Sequence, residues 1–400
     1  MKYRWVKRWG AIGSSLALAG VGLTSSVGSA PASASPSPYV IGAVTSLSGP
    51  LSSIGGALSS GSRAYFNYVN AHGGVDGHKI DFIPLDDQSG VTTAALSDVA
   101  NLVQQHHAIT SIDWILTNVQ SAVQPYAARF GFSMLTQGCD PAVATPAHKV
   151  VFCVGMAENY EDLPEVNFAA TLVHKGTRPK VAILDLNSIA QATLGGRVAK
   201  DVIQRGWDIV TNQLVSLSST DLTAQAQEVV SSGATMVIAS LDAGHEQLFV
   251  QALRSLGSKI PVIDFDGGAS LGLATQLADP NVYMLSGFTF PNTTTPAMRL
   301  FDANIAKVHV SPGTAFAFNG YVEAYVTVRA LKLCGQNCTA AGFTKAMQRL
   351  GTFGTNGLTV EPLKYTPQDF LGMQGGVFYG WNAATKTVRV ESKVLPLAKS

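Results

Sequence analysis

Residues able to do chemistry are sparse in this chain of 400 residues, which holds 4 Cys and 8 His. Cys334 and Cys338 lie four apart around Gly335, whereas Cys139 and Cys153 lie fourteen apart. A structural zinc site needs two close ligand pairs. The second pair here is wide and has no His at ligand spacing, so no metal is expected. Four Cys allow three pairings. Gly335 lets the chain turn tightly enough for a Cys334–Cys338 disulfide, whose Cα atoms must come within roughly 4.4–6.8 Å. Cys139–Cys153 is the remaining pair. No G-x-S-x-G elbow, H-E-x-x-H or P-loop is present, and no spacing gathers Ser, His and Asp into a triad. Gly55-Gly56 lacks phosphate-loop spacing, and Gly73-Gly74 ends a helix where it would have to open one. His106-His107 closes a helix and suits its dipole. Neither a catalytic residue nor a cofactor is expected, and the chain does not read as an enzyme.

The elements that position these groups alternate. Strand signals at 39–45, 80–85, 109–116 and 132–136 are separated by helical spacing at 54–72, 92–105 and 119–130. The pattern stops near Ala157 and resumes at Lys180. Strands at 180–185, 208–215, 236–240 and 261–265 then alternate with helices at 195–205, 222–231 and 246–256. Such repetition gives parallel sheets with helices on both faces. The break implies two doubly wound lobes. Ligands in such sheets sit outside the carboxyl ends of strands, and the cleft between lobes is the default site. The loops there include 117–121, 137–140, 186–188, 241–243 and 266–268, which are small, polar and mostly uncharged. They suit a small polar solute held by hydrogen bonds.

Composition excludes other classes. Charged residues make up 13% and hydrophobic ones 46%, enough for a large core. Lys2 to Arg8 is a cationic start, Ala11 to Leu23 an apolar run too short to span a bilayer, and Ala32-Ser33-Ala34 a cleavage signal. Residues 1–34 therefore read as a signal peptide, and no later segment could span a membrane. Removing the four bases of that start from 27 leaves 23 against 26 acids, about −3 in net charge. A nucleic-acid binder needs a basic footprint instead. No Cys lies near the cleavage region to carry a lipid, so the mature protein is expected to be secreted.

Leu47-Ser48-Gly49-Pro50, then Asn70, Gly73-Gly74, Gly77 and Lys79, then Asp86-Asp87 resembles the leucine/isoleucine/valine-binding protein family, the type I solute-binding proteins of ABC importers. Looser matches follow at Gln124-Pro125, Arg254 to Gly257, Asp266-Gly267 and Tyr321, so the resemblance spans about 39–390. It implies a periplasmic-binding-protein fold of two lobes joined by three crossings, near 157–159, 287–290 and 366–374. Lobe 1 would hold 35–157 and 288–365, and lobe 2 would hold 158–287 and 366–400.

The resemblance also implies ligand contacts. Gln120 or Ser121 falls where the family's carboxylate-binding serine lies. Cys139 and Asp140 fall on the loop that holds an ammonium, Asp266 on the second lobe's acid, and Tyr321 on an aromatic facing the cleft. Ile54 stands where an aromatic is usual, and Ile189-Ala190 and Asp242-Ala243 replace two cleft tyrosines. The alternatives are structural: Asp266 caps the turn at Gly267-Gly268, Asp140 caps a turn before Pro141, and Tyr321 is core. Gly267-Gly268 should leave the Asp266 side chain free to reach into the cleft, with little effect on folding.

The expected function is an extracytoplasmic binding protein that acts as a monomer and delivers a small polar solute, an amino acid, amide or related compound, to an ABC permease. The alternatives are a module presenting solute to a membrane receptor, or a secreted enzyme on the same scaffold.

Overall fold

Strand β1 (Tyr39–Thr45) is buried along nearly its whole length, as a β-branched run in the middle of a parallel sheet must be. The structure, a computed structural model, describes residues 36–397 apart from 145–148, 291–294, 312 and 315. The expected signal peptide lies outside the described residues. After β1 come α1 (Ser52–Ala71), β2 (Ile80–Asp86), α2 (Thr92–Gln104), β3 (Thr110–Trp114), α3 (Thr117–Arg129), β4 (Ser133–Thr136) and β5 (Val151–Cys153). These five strands form one sheet in the order β2-β1-β3-β4-β5, every pairing parallel.

The chain then builds a second sheet. Its elements are α4 (Asp162–Thr171), β6 (Lys180–Leu186), α5 (Ile189–Gln204), β7 (Asp208–Val215), α6 (Thr223–Ser231), β8 (Met236–Ser240), α7 (Ala243–Ser255), β9 (Val262–Asp264), α8 (Leu271–Leu277) and β10 (Val282–Ser286). Next, α9 (Pro296–Ile305), α10 (Ala317–Cys334) and α11 (Ala340–Met347) return to the first sheet's side, where α10 packs along α1 and α11 meets β4. A hairpin of β11 (Gly351–Phe353) and β12 (Leu363–Tyr365) precedes β13 (Gly375–Asn382) and β14 (Thr387–Val390), which rejoin the second sheet. Its order is β14-β13-β10-β9-β8-β6-β7, parallel from β7 to β10 and antiparallel at β13 and β14.

The fold is therefore α/β with two doubly wound lobes, the second sheet being closed by an antiparallel edge that the strand–helix pattern did not announce. Two further elements differ from the pattern. Helix α5 starts at Ile189 because Ser188 caps it, accepting from the Gln191 N–H at 3.3 Å. Ile189 is exposed, so the first turn shows no apolar face. Helix α4 left no periodic signal because it is buried almost all round, with Glu165 among its buried residues.

Helices α1 and α10 cross at two glycines. A Cβ on Gly61 would overlap the Ala317 carbonyl oxygen, and one on Gly320 would overlap that of Leu58. Ser62 Oγ donates to the Gly320 carbonyl at 2.9 Å in the same contact. No larger residue allows this approach.

Three segments connect the lobes; the first and third are bonded to each other, and the second is bonded to the β11–β12 hairpin. The Cys153 N–H donates to the Phe370 carbonyl at 2.9 Å, and the Gly372 N–H donates to the Cys153 carbonyl at 3.0 Å. The Val360 N–H donates to the Gly287 carbonyl at 3.0 Å. Tyr365, fully buried, donates its hydroxyl to the Cys153 carbonyl at 2.8 Å. Three connections held in this way permit bending and resist sliding.

Candidate functional site

A small, partly open hollow lies at the carboxyl ends of β9 and β10, beside the connecting segment that follows β10. Ser270 and Leu271 line it from the second lobe, and Ser286, Phe288, Thr289 and Phe290 from a connecting segment. Thr314, Phe316, Phe318 and Asn319 line it from the entry to α10. The lobes touch at its rim: a Cβ on Gly272 would overlap the Gly313 carbonyl oxygen.

The hollow's apolar wall is built of packed aromatic rings. Phe290 stacks on Tyr379 with ring centres 4.1 Å apart. Phe318 meets Phe301 edge-on at 4.8 Å and Phe288 at 6.3 Å. Phe316 differs, for it is half-buried and sits at φ +65°, a conformation that a bulky residue adopts only under constraint. The polar groups are partly spent: Ser270 accepts from the Leu273 N–H at 3.0 Å, and Ser286 accepts from the Phe288 N–H at 3.1 Å.

A carboxylate patch lies at the hinge, tied to the hollow's lining through the Asp266–Ser286 hydrogen bond. Asp140, Glu158 and Asp266 are near enough for their charges to interact. Burial, with Asp266 and Asp140 adding repulsion, pushes Glu158 up to about 8. Its Oε2 accepts from Gln191 Nε2 at 2.9 Å, so α5 brings a polar group to the same point. Such a patch favours a ligand group that donates hydrogen bonds or carries positive charge.

The residues expected to contact ligand lie in different places. Gln120 is fully buried and supports the loop after β4, donating to Thr136 Oγ1 at 2.6 Å and to the Gly138 carbonyl at 3.0 Å. Cys139 is buried and paired with Cys153, and its carbonyl accepts from the Glu158 N–H at 3.2 Å. Asp140 accepts from the Ala142 N–H at 2.8 Å and from Asn159 at 3.4 Å, the turn-capping geometry. Cys139, Asp140 and Asp266 come together around Glu158, and Gln120 holds the loop that carries the first two. Ser121 and Tyr321 do not join them. Ser121 is exposed and bonds back to the Thr117 carbonyl at 2.9 Å. Cys334 pairs with Cys338, with Cα atoms 5.3 Å apart, away from the hollow's lining.

Two of these placements correct the sequence reading. Tyr321 does not face the cleft: its ring is 1% exposed, held edge-on between Tyr65 and Phe301, and its hydroxyl accepts from Asn304 at 3.1 Å. The glycine crossing of α1 and α10 closes over that side of the helix. The Asp266 side chain does not reach freely into the cleft either. It accepts hydrogen bonds from the Ser286 hydroxyl and from the backbone N–H groups of Gly287 and Met156, which belong to two connecting segments. Burial still raises Asp266 to about 6, against the lowering by these donors. Its own N–H donates to Glu161 Oε2 at 2.9 Å.

Sequence reasoning missed Glu158, Gln191, Phe316 and Asn319. The first lies at a crossing that the sequence located without reading its side chains. The last two precede and open a helix whose start carries no side-chain cap.

A family model described as periplasmic binding protein matches residues 38–386. No curated protein matches the chain. Among solved structures, a branched chain amino acid ABC transporter protein from Thermus thermophilus with bound valine is 17% identical with a TM-score of 0.77, covering 91% of this chain and 97% of that one. A solute binding protein from R. palustris in complex with 4-hydroxybenzoate is 17% identical with a TM-score of 0.74, over 90% and 97%. A fatty acid ABC transporter substrate-binding protein from Thermomonospora curvata is 15% identical with a TM-score of 0.76, over 90% and 92%. These likenesses are of fold.

Proposed function

The chain belongs to the periplasmic binding protein family, and from that membership we propose that it captures a small solute between its lobes and delivers it to an ABC importer in the membrane. The observation that carries this reading is the hollow whose lining comes from 269–271, from the connecting segment after β10 and from the entry to α10. A ligand there would touch surfaces that move apart when the hinge opens, so binding and closure are one event.

The solute pairs an apolar or aromatic body with a polar end. Phe288, Phe316, Phe318 and Leu271 would take the body, and Glu158, backed by Asp140, would take a donor group. Valine and 4-hydroxybenzoate, held by two proteins of similar fold, divide in the same way. Residues 35–157 and 288–365 form lobe 1 in this proposal, and 158–287 and 366–400 form lobe 2. Residues 1–34 are a leader that directs export, and the mature protein acts as a monomer. Among the described residues no helix is long and apolar enough to cross a membrane.

Native mass spectrometry of freshly purified protein, followed by calorimetric titration with any co-purified molecule, tests the proposal. One solute per chain, recovered unchanged, supports it. Turnover of the solute, or saturable binding that survives replacement of Phe288 and Glu158, sinks it.

A further inference from the structure

Acidic side chains converge where the second sheet's carboxyl end meets the hinge, and few bases answer them. Glu165, on α4, is fully buried and neither of its carboxylate oxygens has a partner. Glu161, just before that helix, is fully buried with Oε1 unpartnered. Asp185 approaches from β6 and Asp264 from β9, both buried. Glu246, on α7, is fully buried, and its carboxyl meets that of Asp264. Two carboxylates cannot hydrogen-bond each other unless one carries a proton.

The surrounding charges do not neutralise the group. Helix α5 offers Arg197, which pairs with Asp162 at 3.2 Å, and the acid Asp201. Helix α7 offers His245, whose Nδ1 is held by Asp242 at 2.7 Å. Strand β8 offers only the Ser240 hydroxyl, bonded to Asp185, and β13 the Tyr379 ring near Asp266. From the hinge side come Asp140, Glu158 and Asp266, which are further acids and bring no base.

We propose that this nest of carboxyls is protonated in the folded protein, and that the chain is built to fold and to hold its hinge in an acidic medium. An ionised carboxylate buried without a counter-charge costs several kcal/mol, whereas a carboxylic acid supplies the donor its neighbour lacks. Burial accordingly raises Glu158 to about 8, Glu246 to about 7, and Asp185 and Asp266 to about 6. It raises Glu161, Glu165 and Asp264 well above the ordinary carboxylate range. The sign follows. Each group binds its proton more tightly folded than unfolded, so stability falls as pH rises from the ordinary carboxylate value through the folded value. The window runs from 4.5 or just below to about 8. Weak acidity, not neutrality, is where this fold is most stable.

Thermal unfolding of the full mature chain between pH 5 and pH 8 tests the proposal. The melting temperature should be highest near pH 5 and lower by about 5 °C or more at pH 8. A flat profile, or one that rises with pH, overturns it. Glu165→Gln cannot ionise, so at pH 8 it should melt above the wild type and show a shallower profile. An equal or steeper profile in that variant would count against the nest. Should Glu165→Gln fail to fold, urea unfolding of the wild type in weakly buffered solution at pH 6 provides the second measurement. Release of more than one proton on unfolding supports the proposal, and no release overturns it.

Discussion

The Asp113 backbone N–H donates to Glu323 Oε2 at 2.8 Å, joining β3 to α10 across 210 residues of sequence. Asp113 is fully buried at φ +63°, where the β3–β4 register shifts, and its carboxylate lies 2.7 Å from Ser62 Oγ, whose one hydrogen it shares with the Gly320 carbonyl. Burial raises Asp113 to about 6 and Glu323 further, so the two carboxyls share a proton.

Glu323→Gln should be nearly silent. Its amide oxygen still accepts from the Asp113 N–H, and its NH₂ donates to the Asp113 carboxylate. Stability should change by less than about 1.5 kcal/mol. Glu323→Ala leaves a buried N–H and a buried carboxylate unmet and should cost about 3–5 kcal/mol. Urea denaturation of both variants measures this, and equal losses would show that no shared proton joins the pair.

Asp266→Asn should act on the hinge. The amide has one acceptor oxygen for three donors, on Ser286, Gly287 and Met156. The unliganded protein should lose about 1.5–3 kcal/mol in stability, since the lost bonds run to a charged acceptor. An unchanged melting temperature with lowered solute affinity would restore Asp266 to the ligand.

Phe316→Gly separates binding from folding. Glycine accepts φ +65° freely, so relief of backbone strain offsets part of the lost packing. Solute affinity should fall about tenfold, or about 1.4 kcal/mol, with the loss of one aromatic wall. Calorimetric titration checks it; unchanged affinity would remove Phe316 from the site.

The disulfides should open in order. Cys334–Cys338 is half-buried, whereas Cys139 and Cys153 are at most 1% exposed. Mild reductant followed by alkylation should label two thiols in the native protein and four only after denaturation. Replacing Cys139 and Cys153 together by Ser should cost about 3 kcal/mol, the value for a loop of that length. Four labelled thiols at the start would contradict the order.

The sequence made the parallel strands and their following helices readable because each is short-range: β1 is apolar on both faces, and Gly73-Gly74 stops α1 with both residues in left-handed conformations. The carboxylate patch was half legible, for Asp140 and Asp266 lie on the expected loops while Glu158 lies at a crossing. What the sequence hid is pairing at long range. Nothing near Tyr321 announces that Gly61 will bring α1 against it, and nothing near Asp266 announces two N–H groups from distant connecting segments. The mixed second sheet was hidden for the same reason, since β13 meets β10 only after the chain has visited the other lobe.

That visit sets a timetable. Ser62 and the Gly320 carbonyl that receives its hydroxyl are 258 residues apart, and between them the chain builds most of the other lobe. A polypeptide emerging from the ribosome amino end first cannot cover α1 until residue 320 has appeared. Long-range closure of this kind slows folding, and the waiting face stays exposed meanwhile. The glycine crossing is thus a clock as well as a contact: it lets the first lobe lock only when synthesis is nearly done.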